Sequence, residues 1–113
     1  MGDSGAPGAN QAAALTLEKV AEHTLKIKGH VGFKSVVGLK KQGEEFLRSG
    51  PRQCVIDLSG VAGGGSAAVS LLLSWMRYSK ARNVQLNYCD VPTDMLDIVQ
   101  LYGLDQLLPI LVD

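Results

Sequence analysis

A glycine-rich junction between a predicted strand and a predicted helix is the part of the sequence best suited to chemistry. The apolar run at residues 54–58 leads through Ser59 and Gly60 towards the triple glycine 63–65, and Ser66 follows directly. Backbone N–H groups at a helix N-terminus lack partners and favour an anion. A serine in the N-cap position satisfies one of them. Two interpretations stay open: a turn capped by Ser66, which the residues favour, and a phosphate site or a phosphorylatable serine.

Known enzyme motifs do not fit this junction. A Walker A loop needs Lys and then Ser or Thr after its last glycine, but Gly65 is followed by Ser66 and Ala67. A nucleophile elbow needs a glycine two residues after its serine, and that position is alanine. The two histidines, His23 and His30, both lie near a predicted hairpin, and no close pair of carboxylates is suggested. His30 ends a predicted strand, and we expect a structural role for it. We therefore predict no catalytic residue and no enzyme activity.

The possible metal ligands are equally few. Cys54 and Cys89 form no CxxC pair, and only two histidines could join them, whereas a tetrahedral site needs four spaced ligands or three and a water. We predict no metal site and no cofactor. Two cysteines give no disulfide framework, which fits a reducing compartment, and we expect both to be buried, unreactive thiols on strands. The 11 basic and 11 acidic residues cancel, so the basic surplus of a general nucleic-acid binder is missing.

Length and composition indicate one globular domain. The chain has 113 residues, of which 46% are hydrophobic and 19% are charged, and domains of about 100–150 residues are typical. Residues 1–11 have the composition of a flexible Gly/Ala tail rather than a secretory signal, which leaves 12–113 for the domain. The longest apolar stretch is too short to span a bilayer. We expect a soluble cytoplasmic protein without membrane insertion.

Hydrophobic periodicity predicts strands that alternate with helices after an initial hairpin. The predicted strands cover 15–20, 24–29, 54–58 and 84–88, and the predicted helices cover 33–47, 66–82 and 92–102, followed by a terminal turn or edge at 107–110. In the third helix Met95, Ile98, Val99 and Tyr102 share one apolar face, and Gly103 ends it. This order is typical of an α/β domain whose later strands are parallel.

The helix at 66–82 has an unusual polar face. At about 100° per residue, its broad apolar arc lies opposite a small-residue arc that contains Ser66, Ser70, Ser74, Arg77 and Ala81. An ordinary solvated face would carry more lysine and glutamate, whereas small side chains let another backbone approach closely. Two interpretations stay open: a tolerated Ser/Ala surface, and a docking face for a partner protein with Ser66 at its leading edge.

The order of elements, together with CVIDLSGV at 54–61, Ser66 and the leucines at 71–73, resembles a STAS domain over about residues 14–110. STAS domains occur in anti-sigma-factor antagonists and in sulfate-transporter tails. The helix at 92–103 resembles the last helix of such domains. The resemblance implies an α/β fold with a mixed sheet of four to five strands and helices packed on it. It is strongest to the compact bacterial branch called MlaB, a cytoplasmic accessory subunit of an ABC transporter that moves phospholipids and maintains outer-membrane lipid asymmetry.

This resemblance also implies a partner and a site. The MlaB branch docks on the ATPase subunit, which is held with its permease, and keeps a Ser or Thr at the interface where Ser66 stands. The predicted partner-binding residues are Gly65, Ser66, Ala67, Ser70, Ser74 and Arg77. The antagonist branch carries Asp-Ser-Ser/Thr-Gly here, so Gly65 replaces its Asp and Ala67 replaces its kinase-target Ser.

Two alternative functions stay open, and each predicts its own site. The first is an anti-sigma-factor antagonist that binds an anti-sigma kinase, for which Ser66 is the candidate phosphorylation site. The second is a small-molecule module that binds a nucleotide or a lipid headgroup at the turn formed by residues 63–66.

Overall fold

The computed structural model of the protein describes residues 16–32, 34–63 and 65–111, with only the backbone described at Thr16. The predicted tail at 1–11 lies outside the described residues, as does Phe33, with which the first predicted helix begins. Among the described residues, no helix combines the length and the hydropathy needed to cross a membrane.

Within the described ranges, four strands and three helices follow one another in the predicted order. They are β1 (Thr16–Ala21), β2 (Thr24–His30), α1 (Ser35–Ser49), β3 (Gln53–Ala62), α2 (Gly65–Ala81), β4 (Gln85–Cys89), α3 (Thr93–Leu101) and a 3₁₀ turn (Leu104–Gln106). The described strands form one mixed sheet in the order β1-β2-β3-β4. The β1–β2 pair is antiparallel, and the other two pairs are parallel. The α/β class, the mixed sheet and the parallel later strands are confirmed.

Buried and more exposed side chains alternate along the strands, and the buried ones form the core. Leu25 and Ile27 of β2 are buried, as are Ile56 and Leu58 of β3, because successive side chains of a strand point to opposite faces. Strand β3 continues to Ala62, four residues beyond its predicted end at Leu58. The extension pairs with β2 across a register shift, after which Lys28 faces Gly60. The prediction followed the apolar run, which ends at Leu58, and took the triple glycine 63–65 as the break after it.

Helices α1 and α2 approach each other at a glycine. A Cβ atom at Gly43 of α1 would overlap the indole ring of Trp75 on α2. The Trp75 side chain is fully buried, and its Nε1–H donates a hydrogen bond to the carbonyl oxygen of Lys40 at 3.1 Å. A buried indole N–H needs such a partner, so this bond fixes the register of α2 against α1.

The C-terminal part of the chain packs on β4. The Tyr88 hydroxyl donates a hydrogen bond to the carbonyl oxygen of Leu72 at 2.6 Å, and its burial raises the pKa of Tyr88 above the ordinary value. Gly103 follows α3 with a φ of +68°, a left-handed conformation that glycine adopts without strain. Ile110 then forms an isolated parallel bridge with Tyr88. The predicted ending at Gly103 and the predicted terminal edge are therefore confirmed.

Candidate functional site

The loop between β3 and α2 is shaped by a contact between a histidine and a glycine. Gly63 has a φ of +69°, and a Cβ atom there would overlap the imidazole ring of His30 at the end of β2. Both the backbone conformation and the space thus require glycine. His30 is exposed. The structural role expected for His30 agrees with this contact, which positions the start of α2.

Helix α2 begins at Gly65, and Ser66 is therefore inside its first turn rather than in the N-cap position. The prediction that Ser66 caps the helix is wrong. Gly65 has a φ of +46°, so the chain already turns into the helix one residue earlier than the capping pattern indicated. Ser66 is exposed and makes no side-chain hydrogen bond with any described residue. Its hydroxyl is therefore available to a partner.

The six residues predicted to bind a partner lie on the outer half of α2. Ser66, Ser70 and Arg77 are exposed, while the remaining three are partly exposed: Gly65, Ala67 and Ser74. Spacings of four and seven residues place Ser66, Ser70 and Arg77 on one side of the helix. Within the described part of the chain, Arg77 has no carboxylate partner. The structure therefore brings Ser66, Ser70 and Arg77 to one exposed face of α2, which we call the small-residue face because of its serines. Its role in binding stays a prediction.

A groove runs along this face, between α2 and α3. Its volume is about 210 Å³, and it is lined by Ser66, Val69, Ser70, Leu73, Ile98, Tyr102 and Leu104. Small-molecule pockets usually measure about 300–1,000 Å³ and enclose most of their ligand. The groove is open and smaller than that, so its shape suits a side chain of a protein partner better than a nucleotide.

Two residues of this groove belong to the apolar face predicted for the third helix. Tyr102 is one of them, but it lies past the end of α3 at Leu101 and is 65% exposed. Ile98 is only partly buried, whereas Met95 and Val99 are buried as predicted. The prediction extended the helical spacing of apolar residues to Tyr102, whereas α3 ends at Leu101. An apolar residue directly before the terminating glycine was the signal that could have indicated a surface position.

A second polar cluster lies where the middle of β3 meets the carboxyl end of β4. The ligating atoms of Asp57, Cys89 and Asp90 lie within 4.8 Å of one another. The sequence suggested no close pair of carboxylates, and that expectation is wrong because the parallel register sets Asp57 beside Cys89. One carboxylate oxygen of Asp57 also accepts the N–H of Ser59 at 2.9 Å. Three protein ligands need a water to complete a tetrahedral shell, and exposed acidic groups such as Asp90 are common without an ion.

The thiol of Cys54 fits the unreactive role expected for it. It is buried beneath the turn after α1 and donates a hydrogen bond to the carbonyl oxygen of Pro51 at 3.0 Å. Burial raises the pKa of the Cys54 thiol, so the reactive thiolate is disfavoured. Cys89 is only partly buried, contrary to the expectation of two buried thiols, and neither cysteine forms a disulfide.

The fold matches solved structures of anti-sigma-factor antagonists. The unphosphorylated form of SpoIIAA is 18% identical with a TM-score of 0.66, and the match covers 88% of this chain and 90% of that one. The phosphorylated form of the Bacillus cell fate determinant SpoIIAA is also 18% identical, with a TM-score of 0.64 and coverage of 88% and 93%. An anti-sigma factor antagonist from Mycobacterium paratuberculosis is 16% identical, with a TM-score of 0.63 and coverage of 88% and 85%. At these identities the matches establish a shared fold.

No curated protein sequence matches the chain significantly. A family model described as "Mlab, STAS domain" matches residues 15–112. That match spans every described strand and helix, including the face on α2, and the chain therefore belongs to the STAS domain family.

Proposed function

We propose that the protein is a non-catalytic subunit of an ABC transporter for phospholipids, and that it docks on the ATPase subunit through the exposed face of α2. In this role it supports the ATPase at the cytoplasmic side of the inner membrane, within a complex that also holds the permease. The permease carries the membrane contact, and this chain stays peripheral.

The observation that carries this proposal is the open small-residue face beside an apolar groove. Ser66 and Ser70 border the groove, and neither side chain is hydrogen-bonded to a described residue. Short side chains at these positions let a partner reach the apolar floor of the groove. STAS domains are protein-protein interaction domains and are generally non-catalytic, and the description of the matching family model points to the MlaB branch.

The rival function is an anti-sigma-factor antagonist controlled by phosphorylation. The exposed hydroxyl of Ser66 in the first turn of α2 favours this rival, since a kinase could reach it. Two residues speak against it. Gly65 stands where the antagonist branch has Asp, and Ala67 stands where that branch has its target serine, so the usual acceptor is missing.

Purification of the tagged full chain from its native membranes in mild detergent separates the two functions. We expect mass spectrometry to identify an ABC ATPase together with its permease. Recovery of a histidine-kinase-like anti-sigma protein instead would contradict the transporter role. Intact-mass measurement of the same material adds an independent reading, because the rival predicts a phosphate on Ser66 and our proposal predicts an unmodified chain.

A further inference from the structure

The C-terminal part of the chain carries charge of only one sign. Between residues 83 and 111 there is no lysine, arginine or histidine, and the four charged residues are Asp90, Asp94, Asp97 and Asp105. The chain as a whole is neutral, so the compensating positive charge lies elsewhere, largely in residues 19–52. The net charge is therefore zero although the acidic and basic residues are unevenly distributed along the sequence.

Three of these aspartates, which we call the acidic wall, lie on α3 and the 3₁₀ turn, the elements that supply Ile98 and Leu104 to the groove. Asp97 precedes Ile98, and Asp94 lies one turn before Ile98 on the same side of α3. Asp105 follows Leu104, another lining residue. All three carboxylates are exposed, and within the described ranges none of them forms an ion pair. No residue that the structure describes therefore neutralises the acidic wall beside this apolar groove.

We infer that this groove binds an amphipathic helix of a partner protein whose apolar side chain enters the groove and whose flanking residues are lysine or arginine. The inference rests on the docking role proposed above and adds the chemistry of the partner segment. Burial of an aliphatic or aromatic side chain against the apolar floor of the groove lowers the free energy of the complex. The acidic wall steers and aligns the basic flank, and repels segments that carry acidic flanks.

Site-specific photo-cross-linking in the native cell tests this inference. The full chain carries p-benzoyl-L-phenylalanine in place of Tyr102, in place of Arg77 on the docking face, or in place of Val37, which is 65% exposed on α1 and serves as the control. We expect Tyr102 to cross-link one partner segment that has Lys or Arg within about four residues of the apolar attachment point. The Val37 probe should not cross-link that segment.

A charge-reversal variant shows whether the acidic wall matters. Asp94→Lys, Asp97→Lys and Asp105→Lys together should lower the Tyr102 cross-link at least about fivefold. The matched variant reverses two exposed carboxylates outside the groove, Glu22→Lys and Glu45→Lys, and should leave the yield unchanged. Thermal unfolding confirms that each variant is folded. An unchanged yield in the folded triple variant would overturn the inference.

The identity of the cross-linked segment separates the failure of this inference from the failure of the proposed function. A basic apolar segment of an ABC ATPase supports both, and such a segment of another protein supports the inference while contradicting the transporter role. If the Arg77 probe cross-links the ATPase but Tyr102 reaches only a segment without Lys or Arg, or nothing, the inference is wrong and the proposed function stands.

Two further outcomes contradict the inference. A cross-link from Tyr102 to residues 34–41 of a second copy would mean that this chain is its own partner, since exposed Val37 is flanked there by lysines. If neither Tyr102 nor Arg77 cross-links any protein, both the inference and the docking face on α2 are wrong.

Discussion

Small residues lie at both sides of α2, but for opposite reasons. On the inner side, Gly43 of α1 is small because the Trp75 ring fills the space where its Cβ atom would lie. On the outer side, Ser66 and Ser70 are small although no described element covers them. The inner side is held by hydrogen bonds from Trp75 and Tyr88 to backbone carbonyl oxygens, whereas the hydroxyls of Ser66 and Ser70 have no described partner.

This difference shows that a small residue on a helix indicates docking only where nothing already occupies the space beside it. Periodicity identifies both kinds of position in the same way, and only the surrounding structure separates them. Substitutions on the two sides should therefore differ in kind. Changes on the inner side should alter the free energy of unfolding, and changes on the outer side should alter binding.

The largest effect on stability is expected at the inner side. In the Gly43→Ala variant the added methyl group overlaps atoms of the Trp75 ring. Such overpacking should lower the free energy of unfolding by about 2 kcal/mol or more. Urea denaturation measures the loss. The matched control is Gly38→Ala in the same helix, where a Cβ atom meets nothing within 4 Å. It should stabilise the protein by roughly 0.5–1 kcal/mol, and equal effects at the two glycines would refute the packing argument.

A smaller loss of stability, which also depends on pH, is expected for a substitution at Tyr88. Tyr88→Phe removes the hydrogen bond to Leu72 and should cost about 1 kcal/mol near neutral pH. Burial raises the pKa of Tyr88, so above about pH 10 the unfolded chain loses this proton while the folded protein keeps it. The contribution is complete below that pH and declines above it, by up to about tenfold in the unfolding constant per pH unit.

Urea denaturation from about pH 8 to about pH 11 measures this dependence. The Tyr88→Phe variant should show a shallower loss of stability above about pH 10 than the wild type. Part of the slope should remain, because burial also raises the pKa of Cys54. Parallel curves for the two proteins would show that Tyr88 ionises as easily in the folded state as in the unfolded chain.

The smallest effect on stability is expected at the outer side. Ser70→Ala replaces an exposed serine without an intramolecular partner by a better helix former, and should raise the free energy of unfolding by at most about 0.5 kcal/mol. Ser79→Ala on the inner side is the comparison, because the buried Ser79 hydroxyl donates to the carbonyl oxygen of Met76 at 2.8 Å. That variant should gain no stability. A loss at Ser70 would reveal a structural role for its hydroxyl.

Most of the fold was predictable because the spacing of apolar residues, alternate in strands and helical in helices, indicates which side chains are buried. The strand at 24–29 and the core face at Leu72 and Trp75 follow directly from which residues are apolar. The long end of β3 was not predictable, since Ser59 and Gly60 resemble a turn and the strand stays extended through the pairing of residues 60–62 with residues 28–30 of β2. The start of α2 was misplaced by one residue for a similar local reason.

The candidate site was predictable only in part. The helical period alone places Ser66, Ser70 and Arg77 on one side of α2. The opposite wall of the groove depends on how α3 packs across α2 and on where α3 ends, and neither is encoded in a local pattern. The pairing of Asp57 with Cys89 likewise depends on strand register, which joins residues 32 positions apart in the sequence.

The central claim is that the exposed face of α2 docks an ABC ATPase, and the most direct test is the affinity of Ser66→Arg for the ATPase subunit recovered with this protein. We predict at least about 100-fold weaker binding, equivalent to about 2.7 kcal/mol, with a free energy of unfolding within about 0.5 kcal/mol of the wild type. Ser66→Ala and Val37→Arg are the controls, and both should bind as the wild type does. Wild-type affinity of a folded Ser66→Arg variant would contradict the account.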